Sequence, residues 1–229
     1  MTGIALAISG LEVTGQGGRR ILSVPQLEVP AGAAVAVRGP SGAGKSTLLY
    51  AMAGIIAPAQ GRITWGDTDI AARDERGRAA FRRESVGFIF QEHLLFEELS
   101  ALGNAAITAL YAPRRDRRRI RDSAGGLLAR LGLGESAARR SDTFSGGERQ
   151  RIAVVRALAG DAPVILADEP TASLDRPNAD ALADDLMRLA RDDGRTLVAV
   201  SHDPALHDRA DHVIDVVDGR VEPPEVQHA

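Results

Sequence analysis

Along this chain, short continuous apolar runs alternate with longer stretches whose apolar positions recur every three or four residues. AAVAV at 33–37, VGFIF at 86–90, VILA at 164–167 and TLVAV at 196–200 are runs of the first kind. Bounded by polar or glycine-containing turns, they predict buried strands. Helical spacing appears after the first of these, over Ser46–Ala53. It returns over Asn104–Tyr111 and Arg117–Leu131, in IAVVRALAG from Ile152, and over Asn178–Leu189. Before residue 37 the pattern is IALAI, RRIL and LEVP between glycines and prolines, which predicts small strands and turns. GRITWGDTDI predicts a strand with a hairpin-like turn, in which the single Trp65 has a packing role. Val213–Val217 and Arg220–Val221 predict a last hairpin around Asp218-Gly219. Residues 71–83 are polar and Arg-rich. Strands alternating with helices predict an α/β class with a mostly parallel sheet.

Length and composition narrow this picture. At 229 residues the chain fits one large domain with room for an inserted subdomain. Aromatics make up 3% against 44% hydrophobic residues, so Ala, Val, Leu and Ile must fill the core. A net charge of −3 supplies no global basic field, which argues against nucleic acid as a partner. The absence of cysteine excludes disulfides and thiolate metal sites. MTGIALAISG has neither the basic region nor the long apolar run of a signal peptide. Nowhere do about 18 apolar residues run uninterrupted, so no membrane span is expected and the expected location is cytosolic. The tail PPEVQHA is expected to fray.

The chemistry concentrates first in GPSGAGKST: Gly39, Pro40, Ser41, Gly42, Ala43, Gly44, Lys45, Ser46 and Thr47. The stretch fits G-x-x-x-x-G-K-[ST] between a strand and a helix, the context this loop needs to cradle a polyphosphate. Its glycines allow backbone N–H groups to close around phosphates at the positive end of a helix dipole. Lys45 can reach the β- and γ-phosphates, and the Ser46 hydroxyl can ligate Mg²⁺. Among the 28 Lys and Arg residues, Lys45 is the single lysine. A compact ammonium therefore stands in an otherwise all-Arg background, at the position where a planar guanidinium is no substitute.

Other polar groups stand at the ends of apolar runs. Asp168 can hold the Mg²⁺, and Glu169 is a candidate general base for an attacking water. Gln91 can position water or Mg²⁺, and His202 can hydrogen-bond the γ-phosphate. All four lie where ligands bind in open α/β sheets, at the carboxyl ends of strands. FSGGERQR, beginning at Phe144, is a second anion-binding helix start, with Ser145 as N-cap ahead of Gly146, Gly147 and Glu148. Two copies arranged head to tail would let each such cradle close on the nucleotide held by the other. RRDRRRIR, from Arg114 to Arg121, is either a solvated helix face or a contact for anionic headgroups or an acidic partner loop.

These motifs together resemble the nucleotide-binding subunit of an ABC transporter over nearly the whole chain. GPSGAGKST resembles the family's phosphate loop, Gln91 its Q-loop, FSGGE its signature and VILADEP its Mg²⁺ and catalytic strand. SLD, ending at Asp175, is similar to the D-loop, and His202 to the switch histidine. The resemblance implies a P-loop NTPase core, an N-terminal antiparallel β subdomain and an inserted α-helical subdomain at about 92–143. It implies ATP and Mg²⁺ as cofactors and a homodimer with two ATP molecules at its interface. Ser145 and Gly147 of one copy would bind the γ-phosphate held by the other, and an integral-membrane permease would be the partner driven. VGFIFQEHLLFEELSALGNAA is similar to the lipoprotein-release, macrolide-efflux and cell-division ABC ATPases. The rival class is a soluble ABC ATPase acting as an assembly factor, as in iron–sulfur cluster biogenesis. A DNA-repair ATPase fits poorly, since no long coiled coil separates the motifs. On the family pattern, LEVTGQGGRRIL places Gly15 where an adenine-stacking aromatic is expected, and no Phe, Trp or Tyr precedes Tyr50.

Overall fold

The computed structural model describes residues 3–172 and 174–221. The strands are β1 (Leu6–Thr14), β2 (Arg20–Val29), β3 (Ala34–Arg38), β4 (Gln60–Trp65), β5 (Thr68–Asp69), β6 (Val86–Ile89), β7 (Val164–Asp168), β8 (Thr196–Val200), β9 (His212–Val217) and β10 (Arg220–Val221). They join one mixed sheet in the order β5-β4-β1-β2-β10-β9-β3-β8-β7-β6. The helices are α1 (Lys45–Met52), α2 (Glu75–Ser85), α3 (Ala101–Ala105), α4 (Arg114–Arg130), α5 (Gly146–Ala159), α6 (Arg176–Asp192) and α7 (Pro204–Arg209). Ser173 of the SLD stretch and the tail at 223–229 lie outside the described residues.

The run β9-β3-β8-β7-β6 is parallel throughout. Parallel strands are buried on both faces, which is why β3, β7 and β8 are nearly continuous apolar runs. Alternation divides each strand between two cores. Ile165, Ala167, Leu197 and Ala199 join one core with α5 and α6. Val164, Leu166, Val198 and Val200 join the other with Leu48, Leu49 and Met52 of α1. β1, β2 and β4 extend that second core as an antiparallel wing, with β5 paired on the edge of β4. Trp65 packs there, its indole N–H donating to the Met52 carbonyl at 2.9 Å. β9 and β10 pair antiparallel around Asp218 (φ 48°) and Gly219 (φ 72°), the double positive-φ turn that a tight hairpin favours.

Three local expectations differ from the structure. β1 and β2 are long strands of 9 and 10 residues rather than small ones, because Gly10 lies at a register irregularity against β4 without ending β1. The polar, Arg-rich stretch at 71–83, with no element expected in it, mostly becomes α2, in which only Phe81 is buried. Asp74 caps it by accepting from the Gly77 amide at 2.8 Å, and Glu75 pairs with Arg78 and Arg82. A cap and ion pairs support this helix where an apolar stripe is absent. The helix expected at 104–111 instead starts at Ala101, capped by Ser100, and passes into a 3₁₀ turn at Ile107–Leu110.

One buried amide organises the segment between β6 and α3. The Asn104 side chain accepts from the Phe96 amide at 2.8 Å and donates to the Phe96 carbonyl at 2.9 Å. Ser141 donates to the same carbonyl at 2.7 Å. Asn104→Ala should therefore lower stability by about 1–3 kcal/mol, the cost of leaving buried polar groups unpaired. Urea unfolding of the chain checks this; a midpoint equal to that of the parent chain would contradict it.

Candidate functional site

The loop between β3 and α1 closes tightly because its glycines permit it. A Cβ on Gly39 (φ 149°) would lie 2.0 Å from the Val216 carbonyl oxygen, which no other residue could accept. Gly44 (φ 99°) delivers the chain into α1 at Lys45. The Lys45 side chain is buried, with 6% of the residue exposed, and its ammonium donates to three acceptors. These are the carbonyls of Gly39 (2.8 Å) and Pro40 (3.0 Å) and Nε2 of His202 (3.1 Å). An ammonium has only donors, so Nε2 accepts and the His202 ring proton lies on Nδ1. The 3.4 Å approach of that same Nε2 to Glu169 is consequently not an ion pair.

Asp168 ends β7, and its carboxylate is 1% exposed. It accepts from the Ser46 hydroxyl at 3.1 Å. The Tyr50 phenol lies near it, and its pKa is pushed up to about 12 by burial first and then by the Asp168 charge. Ser46 and Tyr50 are four apart on α1 and so share one helix face. The oxygen donors of Ser46 and Asp168 form the hard set that a divalent cation such as Mg²⁺ takes, so these residues fit one.

Glu169 follows with φ 47°, a left-handed backbone that non-glycine residues rarely adopt. Its amide donates to the Val200 carbonyl at 2.9 Å, which anchors the turn. The carboxylate accepts from the His202 amide at 3.3 Å. Strain of this kind, of order 1–3 kcal/mol, concentrates at functional sites. Here it aims Glu169 into an open cleft of about 680 Å³ that Lys45, Ser46, Gln91 and His202 also line.

The structure thus brings together Ser41, Gly42, Gly44, Lys45, Ser46, Thr47, Gln91, Glu169 and His202 on one cleft, with Asp168 behind Ser46. Ser145, Gly146, Gly147 and Glu148 stand apart from it, at the start of α5. There the Ser145 hydroxyl accepts from the Glu148 amide at 3.3 Å, and Glu148 accepts from the Ser145 amide at 2.8 Å. The Ser145 amide, then its hydroxyl, hold the Glu148 carboxyl below its usual range. Asp175 caps α6, accepting from the Asn178 amide at 3.1 Å. The Arg114–Arg121 run lies on α4, where Arg117, Arg118 and Arg119 are exposed and the last two pair with Asp122 and Asp161.

Three participants went unnoticed in the sequence. Tyr50 could have been found from its i+4 spacing to Ser46. Ile21, 39% exposed, lines the cleft beside Gly15, where an added Cβ would come 2.6 Å from Ile21 Cδ1. Arg156 of α5 donates to the carbonyls of His93 (2.7 Å) and Leu94 (2.6 Å), tying the helix behind Ser145 to the segment after Gln91.

Residues 22–172 match the model of the ABC transporter family. The chain is 43% identical over 209 residues to the macrolide export ATP-binding/permease protein MacB 1/2 of Paracoccus denitrificans, covering 91% of this chain and 31% of that protein. It is 39% identical over 195 residues to the lipoprotein-releasing system ATP-binding protein LolD 1 of Chlorobium chlorochromatii, covering 85% and 79%. The chain therefore spans about a third of the macrolide-export relative and most of the lipoprotein-release one. Its fold superposes with TM-score 0.86 and 29% identity on the dimeric post-hydrolysis state of the ATP-binding cassette MJ0796 bound to ADP and Pi, over 98% of this chain and 99% of the other.

Lys45 has three acceptors at close range in a buried pocket, and a planar guanidinium cannot reproduce them. Lys45→Arg should cut ATP affinity by at least about tenfold, roughly 1.4 kcal/mol, with the fold intact. A binding titration checks this, and unchanged affinity would place Lys45 outside the phosphate cradle.

Proposed function

The chain belongs to the ABC transporter family as an ATP-hydrolysing cassette, and from that premise we propose that it powers a separate membrane permease by closing head to tail with a second copy around two ATP molecules. The observation that carries the catalytic reading is the convergence of Lys45, Ser46, Glu169 and His202 from three strand ends on one cleft. Lys45 and the amides of the phosphate loop hold the β- and γ-phosphates. Ser46, Asp168 and Gln91 would hold Mg²⁺, which would offset charge on the phosphate oxygens. Glu169 accepts a proton from the water whose oxygen attacks the γ-phosphorus, while the bond to the β–γ bridging oxygen breaks and ADP leaves. Incoming phosphate oxygens draw Lys45 from His202 and free the imidazole to report the γ-phosphate.

The second half of each site comes from the partner copy. Ser145 and Gly147 stand outside the chain's own cleft, at an exposed helix start, which supports their use on the nucleotide of another copy. Asp175 follows both halves in sequence, and the 92–143 region, as the helical subdomain, leads into the signature helix α5. The permease is of the macrolide-efflux or lipoprotein-release type, following the relatives. No helix among the described residues is long and apolar enough to cross a membrane. Docking to a permease would place the chain on the cytoplasmic face of the inner membrane.

Glu169→Gln should bind MgATP but turn over about 10²–10⁴ times more slowly, the usual contribution of a positioned general base. It should also accumulate as an ATP-bound dimer in size-exclusion chromatography. Near-parental hydrolysis would remove Glu169 from the role.

Base recognition follows from Ile21 and Gly15. The wall beside the phosphate loop presents an aliphatic side chain, and an aromatic platform worth about 1–3 kcal/mol is absent from position 15. ATP and GTP should be hydrolysed at comparable rates. A preference for ATP of a hundredfold, ~2.7 kcal/mol, would contradict this reading. The Gly15 backbone is extended (φ −97°, ψ −162°) and accepts a side chain, but Ile21 must yield for Gly15→Tyr to tighten binding.

A further inference from the structure

Directly after β6 the chain turns a strained corner. The His93 amide donates to the Phe90 carbonyl at 3.2 Å, closing a turn with Gln91 and Glu92 at its centre. The Leu94 amide then donates back to the Glu92 carbonyl, which makes a γ-turn centred on His93. His93 has φ 57°, the rare and strained form of that turn, and Leu94 follows with φ 48°. Left-handed backbone at two successive non-glycine residues needs support from its surroundings. The buried Nε2 of His93 adds to the cost, having no hydrogen-bond partner among the described residues. Arg156 supplies the support. One nitrogen of its guanidinium donates to the His93 carbonyl at 2.7 Å and the other to the Leu94 carbonyl at 2.6 Å. Among the described residues it is the one side chain hydrogen-bonded to the backbone of residues 91–95. Its helix is a firm base for this grip, since β6 runs so close to α5 that a Cβ on Gly87 would collide with the Ala157 carbonyl.

We propose that Arg156 is a positioning residue for Gln91: by holding the carbonyls of His93 and Leu94 it keeps the corner closed and so fixes where Gln91 meets the cleft. The proposal rests on the ATP–Mg²⁺ reading of that cleft, which Gln91 lines together with Lys45, Ser46 and Glu169. Gln91 is itself exposed and lies inside the first of the two turns, so the turn sets its direction. A planar fork spans two adjacent carbonyls in a way that a point ammonium does not. Losing a group that orients a metal-holding residue typically costs about 10–100-fold in metal affinity or activity.

Hydrogen exchange of the nucleotide-free chain reads the corner itself. In Arg156→Lys, which keeps the charge and loses the fork, and in Arg156→Gln, the segment 91–95 should exchange about tenfold faster than in the parent chain. The α1 segment should stay within about twofold of the parent. Steady-state ATP hydrolysis then reads the consequence. In both variants kcat should fall about tenfold with KM for ATP within about twofold, and in a Gln91→Ala background the same changes should cost less than about twofold. Unchanged exchange over 91–95, or an equal loss of kcat in both backgrounds, would overturn the proposal. So would failure of both variants to fold, because Arg156 would then support the fold as a whole rather than Gln91. Hydrolysis by Gln91→Ala at the parent rate would instead sink the underlying reading of Gln91 as part of the site.

Discussion

Two opposite charges are buried at the end of the parallel sheet, and each must be fully hydrogen-bonded for the fold to tolerate it. Lys45 is 6% exposed and Asp168 1%. An unpaired charge in such surroundings costs several kcal/mol. The ammonium is satisfied by two loop carbonyls and a histidine nitrogen, and the carboxylate accepts from the Ser46 hydroxyl. These partners come from the phosphate loop, α1 and the end of β8, so the charges dictate how the strand ends are arranged. The arrangement is also exchangeable. Every acceptor on Lys45 is neutral, so the oxygens of an incoming triphosphate compete with them on favourable terms.

Distance from that pair grades the remaining parts of the site. Glu169 is held in a left-handed conformation by β8 and aimed into the cleft. Gln91 enters from β6, backed by Phe88 and Phe90. Beyond it, Arg156 grips the carbonyls of His93 and Leu94, both at positive φ, and belongs to the helix that Ser145 caps. One guanidinium therefore ties the segment after Gln91 to the helix that starts at Ser145. Asn104 and Ser141 secure the same connecting segment from the other end, at Phe96.

The parallel core was legible in the sequence because its strands are buried on both faces and read as unbroken apolar runs. Lys45, Ser46, Asp168, Glu169, Gln91 and His202 were legible because each sits at a motif position or just past the end of such a run. α2 was not, since one buried residue, Phe81, leaves no stripe to detect. Tyr50 and Arg156 were hidden for a different reason. Each stands inside a helix whose spacing is explained by packing alone, and its partner lies more than fifty residues away in sequence. The His202 tautomer was also out of reach, because it depends on a contact with Lys45 across 157 positions.

Shared ownership of each site between two copies is the claim on which the function turns, and cross-complementation tests it most directly. Lys45→Ala removes one half of a site and Gly147→Asp the other; a Cβ added at 147 meets only the flexible end of Leu174. Each variant alone should be inactive in ATP hydrolysis. Mixed, they can assemble one intact site from the unaltered phosphate loop of one copy and the unaltered Ser145 helix of the other. Recovery of ATPase activity on mixing is the predicted result, and a mixture as inactive as either variant alone would contradict it.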